Sequence, residues 1–137
     1  MVKIDLKYAG DLRVHARHQP SGTMLVTDAP LDNHGKGESF SPTDLLATAL
    51  GSCMATVMGI EAEKRKANLR GMEIRVEKHM SSEGPRRVRA LDVHVSVPER
   101  PAEAERAELE RIARNCPVAQ SINPQIEVNT VFEWGKK

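Results

Sequence analysis

Cys53 and Cys116 are the only cysteines in this 137-residue chain, and their side chains are the strongest nucleophiles it holds. A cysteine reacts as the thiolate, which can be oxidised to a sulfenic acid and then captured by a second thiol as a disulfide. Thiolate formation requires a cation or a helix N-terminus to bring the pKa down from ~8.5, and apolar burial works against it. Cys53 lies twelve residues beyond Ser41, where a helix begins. A helix dipole fades within its first turn, so Cys53 needs a cation from elsewhere in the fold. Cys116 is followed by Pro117, which opens a new helical turn whose free N–H groups can face the sulfur. Local sequence therefore makes Cys116 the better thiolate. For both residues the competing reading is inert packing, because free cysteine often fills a core as a small apolar group.

No other group makes a comparable claim. His15, His18, His34, His79 and His94 are scattered, without helical metal-ligand spacing backed by a third ligand, so neither a metal nor another cofactor is expected. His34 reads as a surface histidine in a loop. Gly35-Lys36-Gly37 is too short for a phosphate loop and opens no strand-turn-helix unit. With 20 Lys+Arg against 19 Asp+Glu and 3% aromatics, the chain has neither the field nor the stacking surface that nucleic acid would need, and no field to gather an anionic membrane. Met1 to Tyr8 alternates charged and apolar residues, unlike a signal peptide, and no apolar run approaches the ~20 residues of a bilayer span. The expected location is the cytoplasm, where a cysteine pair is more often catalytic or sensing than structural.

The elements that must position these thiols follow from periodicity. At this length one domain spanning 1–137 is expected. Period-two alternation predicts strands near 2–8, 12–18 and 23–28, joined by turns at Ala9-Gly10-Asp11 and Gln19-Pro20-Ser21-Gly22. Residues 29–40, rich in Pro, Gly, Asp and Asn, read as a loop. Ser41-Pro42-Thr43-Asp44 is a helix start, with Ser41 at the N-cap, Pro42 at the first helical position and an acid three residues past the cap. Leu46, Leu50, Cys53, Val57 and Ile60 then recur at helical spacing, predicting a helix to about Lys66 with Cys53 on its buried face. A hairpin follows, from Met72 to Val97, with a phase change between Ala90 and Leu91 that predicts a bulge. A second helix starts at Pro101, with Leu109, Ile112, Ala113 and Cys116 inward, and Gln125 to Trp134 is a final strand. The order predicts an α+β fold with antiparallel sheets and the long first helix as its spine.

Residues 41–60, Ser-Pro-Thr-Asp-Leu-Leu-Ala-Thr-Ala-Leu-Gly-Ser-Cys-Met-Ala-Thr-Val-Met-Gly-Ile, resemble the helix of the OsmC/Ohr family of osmotically induced and organic-hydroperoxide-resistance proteins. Asn115-Cys116-Pro117-Val118-Ala119 resembles that family's second cysteine motif, in the same order along the chain. The Gly-Asp-Leu turn, the loop before Ser41 and the Val-Asn-Thr-Val-Phe-Glu strand extend the similarity to essentially the whole chain.

The resemblance implies an intertwined homodimer of long central helices crossed by antiparallel sheets, with active sites at the dimer interface. It implies that Cys53 is the peroxidatic thiol, that a small organic hydroperoxide is the substrate, that Cys116 resolves the sulfenic acid, and that a dithiol restores the enzyme. The family's thiolate-stabilising Arg falls best on Arg13 and next on Arg17. Its Glu, ten residues before the first cysteine, is here Thr43, with the acid one step later at Asp44, a rotation of about 100° on a helix. The expected site is thus Cys53, Cys116, Arg13 and Asp44. The displaced acid keeps a second reading open, a non-peroxidatic OsmC-like protein that senses redox state or binds a small ligand.

Overall fold

The structure, a computed structural model, describes residues 1–136. The chain forms two compact units, one from Met1 to Leu46 and one from Ala47 onwards, with the boundary inside the long helix.

The first unit is the expected antiparallel meander: β1 (Ile4–Gly10), β2 (Arg13–His18) and β3 (Met24–Thr27) in that order. Its first turn differs from expectation. A register shift between Tyr8 and Gly10 carries β1 on to Gly10, and the reversal falls on Asp11 and Leu12. Both have positive φ (53° and 61°), the hand that matches twisted strands. Leu12 is thus a turn residue rather than the first residue of a strand, and its N–H donates to the Tyr8 hydroxyl at 3.3 Å. Beyond β3 the chain makes a 3-10 turn at Leu31–Asn33 and folds back on itself. A Cβ on Gly35 would lie 1.7 Å from the Ala29 carbonyl oxygen, so only glycine fits there.

The second unit holds most of α1 (Pro42–Arg65), then β4 (Glu73–Met80), β5 (Val88–Val97), α2 (Glu103–Arg114), α3 (Pro117–Ser121) and β6 (Glu127–Trp134). Its sheet has the order β4-β5-β6. The hairpin is antiparallel as expected, and its register shift leaves Arg89 as the extra residue beside the predicted phase change, so Val88 shares the face of Leu91 and both are buried. β6 departs from the expected antiparallel pairing and runs parallel to β5. The cause is the connection: α2 and α3 carry the chain back along the sheet, and a helical crossover returns a strand in the same direction. Phe132 and Trp134 on β6 stack at 6.4 Å, with the Arg114 guanidinium 4.8 Å from the Phe132 ring and the Trp134 indole N–H donating to Glu110 at 2.9 Å. These contacts fix α2 on the sheet.

The buried face of α1 is not the predicted one. Ala47, Leu50, Gly51, Met54, Met58 and Ala62 are buried, whereas Ile60 is 52% exposed and Cys53 and Val57 are only half-buried. Apolar residues surround much of this helix, so periodicity does not single out one stripe. The small residues decide: a Cβ on Gly51 would lie 2.9 Å from a Val76 methyl, and this closeness seats α1 on β4. By length and composition α1 could also cross a membrane, but its exposed side carries Thr48, Ser52 and Thr56 at four-residue spacing, the pattern of a core helix with one wet face.

Candidate thiol site

Cys53 stands on the border of α1's packed face, half-buried, next to Ser52, whose hydroxyl donates back to the Thr48 carbonyl at 2.8 Å. Cys116 occupies the joint between α2 and α3. It caps α3 in an extended conformation, with Pro117 as the first helical residue, and it is 1% exposed. The fold brings the two thiols close enough for Cys53 to help raise the Cys116 pKa. They are far apart in sequence, and no spacing rule could have placed them together.

The local-sequence expectation that Cys116 is the better thiolate is corrected by burial. The expected donors act in the expected direction: the Ala119 and Val118 backbone N–H groups favour the anion, although Cys116 makes no side-chain cap hydrogen bond to α3. Desolvation is nevertheless the largest influence, and with Cys53 nearby it pushes the Cys116 pKa above its ordinary value. Cys116 is therefore a thiol at neutral pH.

Arg13 and Asp44 lie in the first unit. Arg13, at the start of β2, pairs with Glu38 at 2.5 Å and Asp28 at 3.6 Å. Asp28 is 1% exposed. Its carboxyl is held below the usual carboxylate range, first by the Glu38 N–H and then by the Ala29 N–H, Arg13 and the Lys36 N–H. Glu38 in turn raises the Arg13 pKa, mainly through their hydrogen bond. Asp28 and Glu38 were not foreseen from the sequence, because their link to Arg13 spans loop residues with no periodic pattern. Asp28 ending a strand immediately before a breaker-rich loop was the one available signal.

Asp44 closes a capping box. Its carboxylate accepts the Ser41 N–H at 2.8 Å, and its own N–H donates to the Ser41 hydroxyl at 3.1 Å, with Thr43 Oγ1 3.2 Å from that hydroxyl. Arg17 is exposed on β2, and His34 is exposed with φ 70° at the end of the 3-10 turn. His79, taken alone in the sequence, meets carboxylates across the hairpin: its Nε2 is 2.8 Å from Asp92, and the ligand atoms of Glu77, His79 and Asp92 lie within 4.8 Å of one another. Asn129 donates to the same Asp92 at 2.8 Å, so Asp92 is already engaged by two hydrogen-bond partners.

The family model for OsmC-like protein matches residues 35–131. A candidate osmotic stress induced and detoxification response protein from Psychrobacter arcticus 273-4 shares 40% identity, with 97% of this chain and 96% of that chain covered and a TM-score of 0.92. The organic hydroperoxide resistance protein OsmC of Legionella pneumophila is 16% identical over 97% of this chain and 96% of that one, with a TM-score of 0.76. The organic hydroperoxide resistance protein OhrB of Bacillus subtilis is 14% identical over 97% and 98%, with a TM-score of 0.72. At such identities the last two speak for the fold alone. No curated protein sequence matches the chain.

Proposed function

The chain belongs to the OsmC family, and from that premise we propose that it is a cysteine-based peroxidase that reduces small organic hydroperoxides under stress. The observation that carries this reading is the proximity of half-buried Cys53 to buried Cys116. The more accessible thiol, as its thiolate, attacks the distal peroxide oxygen; the O–O bond breaks, an alcohol leaves, and Cys53 becomes a sulfenic acid. Cys116 then attacks the Cys53 sulfur, expelling water and forming a disulfide, which a cellular dithiol reduces. The Asp44 capping box fixes the start of the helix that carries Cys53, and Arg13 is the residue that the family resemblance offers for the thiolate-stabilising role.

The working unit we propose is a homodimer in the reducing cytoplasm. Ile4, Leu6 and Tyr8 form an exposed apolar row on β1, at 57%, 67% and 63% exposure, and Val57 and Ile60 add an apolar edge on α1. Such rows favour burial against a second copy.

Stopped-flow consumption of cumene hydroperoxide with a dithiol reductant tests the activity. The wild type turns over, Cys53→Ser does not, and Cys116→Ser oxidises without efficient recycling. Equal slow rates in all three proteins would sink the proposal. One observation favours the other reading, a redox sensor or ligand-binding stress protein: Arg13 is already engaged by two carboxylates, Glu38 and Asp28.

A further inference from the structure

We infer that Cys116 is also the general acid of the first chemical step, giving its proton to the oxygen that leaves the hydroperoxide before it acts as the resolving thiol. This rests on the peroxidase reading and deepens it.

Attack on the distal oxygen expels the proximal one as an alkoxide, a far stronger base than the attacking thiolate. Departure is eased when an acid within hydrogen-bond reach protonates it. Around Cys53 on α1, the neighbouring Ser52 hydroxyl is exposed and directed at the Thr48 and Ala49 carbonyls. Met54 and Ala55 carry no transferable proton. Cys116 does: it is 1% exposed and lies close enough to Cys53 for the two thiols to influence each other. Burial keeps it protonated until an oxyanion forms beside it, as its upward-shifted pKa also indicates. Once the proton has gone, the Ala119 and Val118 N–H groups stabilise the sulfur anion left behind.

The first step is then balanced as Cys53 thiolate plus hydroperoxide plus Cys116 thiol giving Cys53 sulfenic acid, alcohol and Cys116 thiolate. The peroxide gains the two electrons that Cys53 loses. In the second step the Cys116 thiolate attacks the Cys53 sulfur; the S–S bond forms, the S–O bond breaks, and the hydroxide that leaves becomes water with the proton that Cys53 released to solvent on ionising. One proton transfer thus completes the first step and arms the nucleophile of the second.

The test measures single-turnover loss of the Cys53 thiol, by rapid quench and mass spectrometry, in the wild type, Cys116→Ser and Cys116→Ala. Each is challenged with cumene hydroperoxide and with peracetic acid, whose carboxylate leaving group needs no proton. Cys116→Ser nearly preserves the side-chain volume, so a fold failure of Cys116→Ala leaves that arm intact. A proton-donor role predicts that the variants slow on cumene hydroperoxide by on the order of 10²-fold and stay within about twofold of wild type on peracetic acid, because that oxidant bypasses the donor. Unchanged rates with both oxidants, or equal losses with both, overturn the inference while the peroxidase reading survives. A wild type that loses no Cys53 thiol to either oxidant overturns the peroxidase reading itself.

Discussion

Cys116, shielded from solvent at the joint between α2 and α3, lies close enough to the half-buried Cys53 on α1 for that thiol to help it hold its proton. The two thiols therefore differ in environment while lying close together. One is accessible to a small molecule, and the other is held protonated within reach of whatever the first becomes.

That difference sets an order of reactivity. Iodoacetamide at pH 7.5 should label Cys53 and leave Cys116 largely free in the folded protein, with both labelled in urea; peptide mass spectrometry reads the two sites. The shift also bears on stability. The folded Cys116 thiol holds its proton more tightly than the unfolded one, so its contribution is full below about pH 8.5 and is lost as pH rises through the folded value. Thermal unfolding of wild type against Cys116→Ser between pH 7 and 10 should show a steeper decline for the wild type.

Gly51 sets the approach of α1 to β4. Gly51→Ala gains about 1 kcal/mol of helix propensity and loses about as much to the Val76 contact, so it should be near neutral. Gly51→Leu has no such offset for its added volume, and overpacking of about 1–3 kcal/mol lowers Tm by about 4 °C per kcal/mol at this size. Calorimetry of both variants separates the two effects.

The capping box at Ser41 and Asp44 should behave as one unit. Ser41→Ala costs about 1 kcal/mol by loss of the N-cap. Adding Asp44→Ala should cost less than the sum of the two single changes, because the reciprocal bonds are already broken. Urea unfolding of the three variants measures the coupling, and strict additivity would contradict it.

Asp28 ties the loop before α1 to Arg13. Its folded pKa is depressed, so its stabilisation is present above the ordinary carboxylate pKa of about 3.9 and is lost as pH falls through the lower folded value. Asp28→Asn should lower Tm at pH 7 and converge with the wild type towards pH 2–3. A constant gap over that range would show that the charge is not the cause.

Much of this arrangement was legible in the sequence. The meander, the capped helix, the hairpin and α2 follow from periodicity and turn chemistry. The family motifs pointed to Cys53 and Cys116. The orientation of α1 was not legible, because Met54, Met58 and Val57 are all apolar and only the clearance at Gly51, a three-dimensional fact, selects the buried side. The parallel return of β6 depends on where α2 and α3 deliver the chain. Cys116 was misjudged locally because sequence reveals the N–H groups beyond it but not its desolvation. Asp28 and Glu38 were missed because ion pairs across a loop leave no period to detect.

In the proposed cycle Cys53 is oxidised by peroxide and resolved by Cys116. Treating the reduced wild-type protein with one equivalent of cumene hydroperoxide, then mapping peptides without reductant, tests it most directly. Both free thiols should be lost, and a Cys53–Cys116 linked peptide that dithiothreitol releases should appear. Two free thiols beside unconsumed peroxide would contradict it.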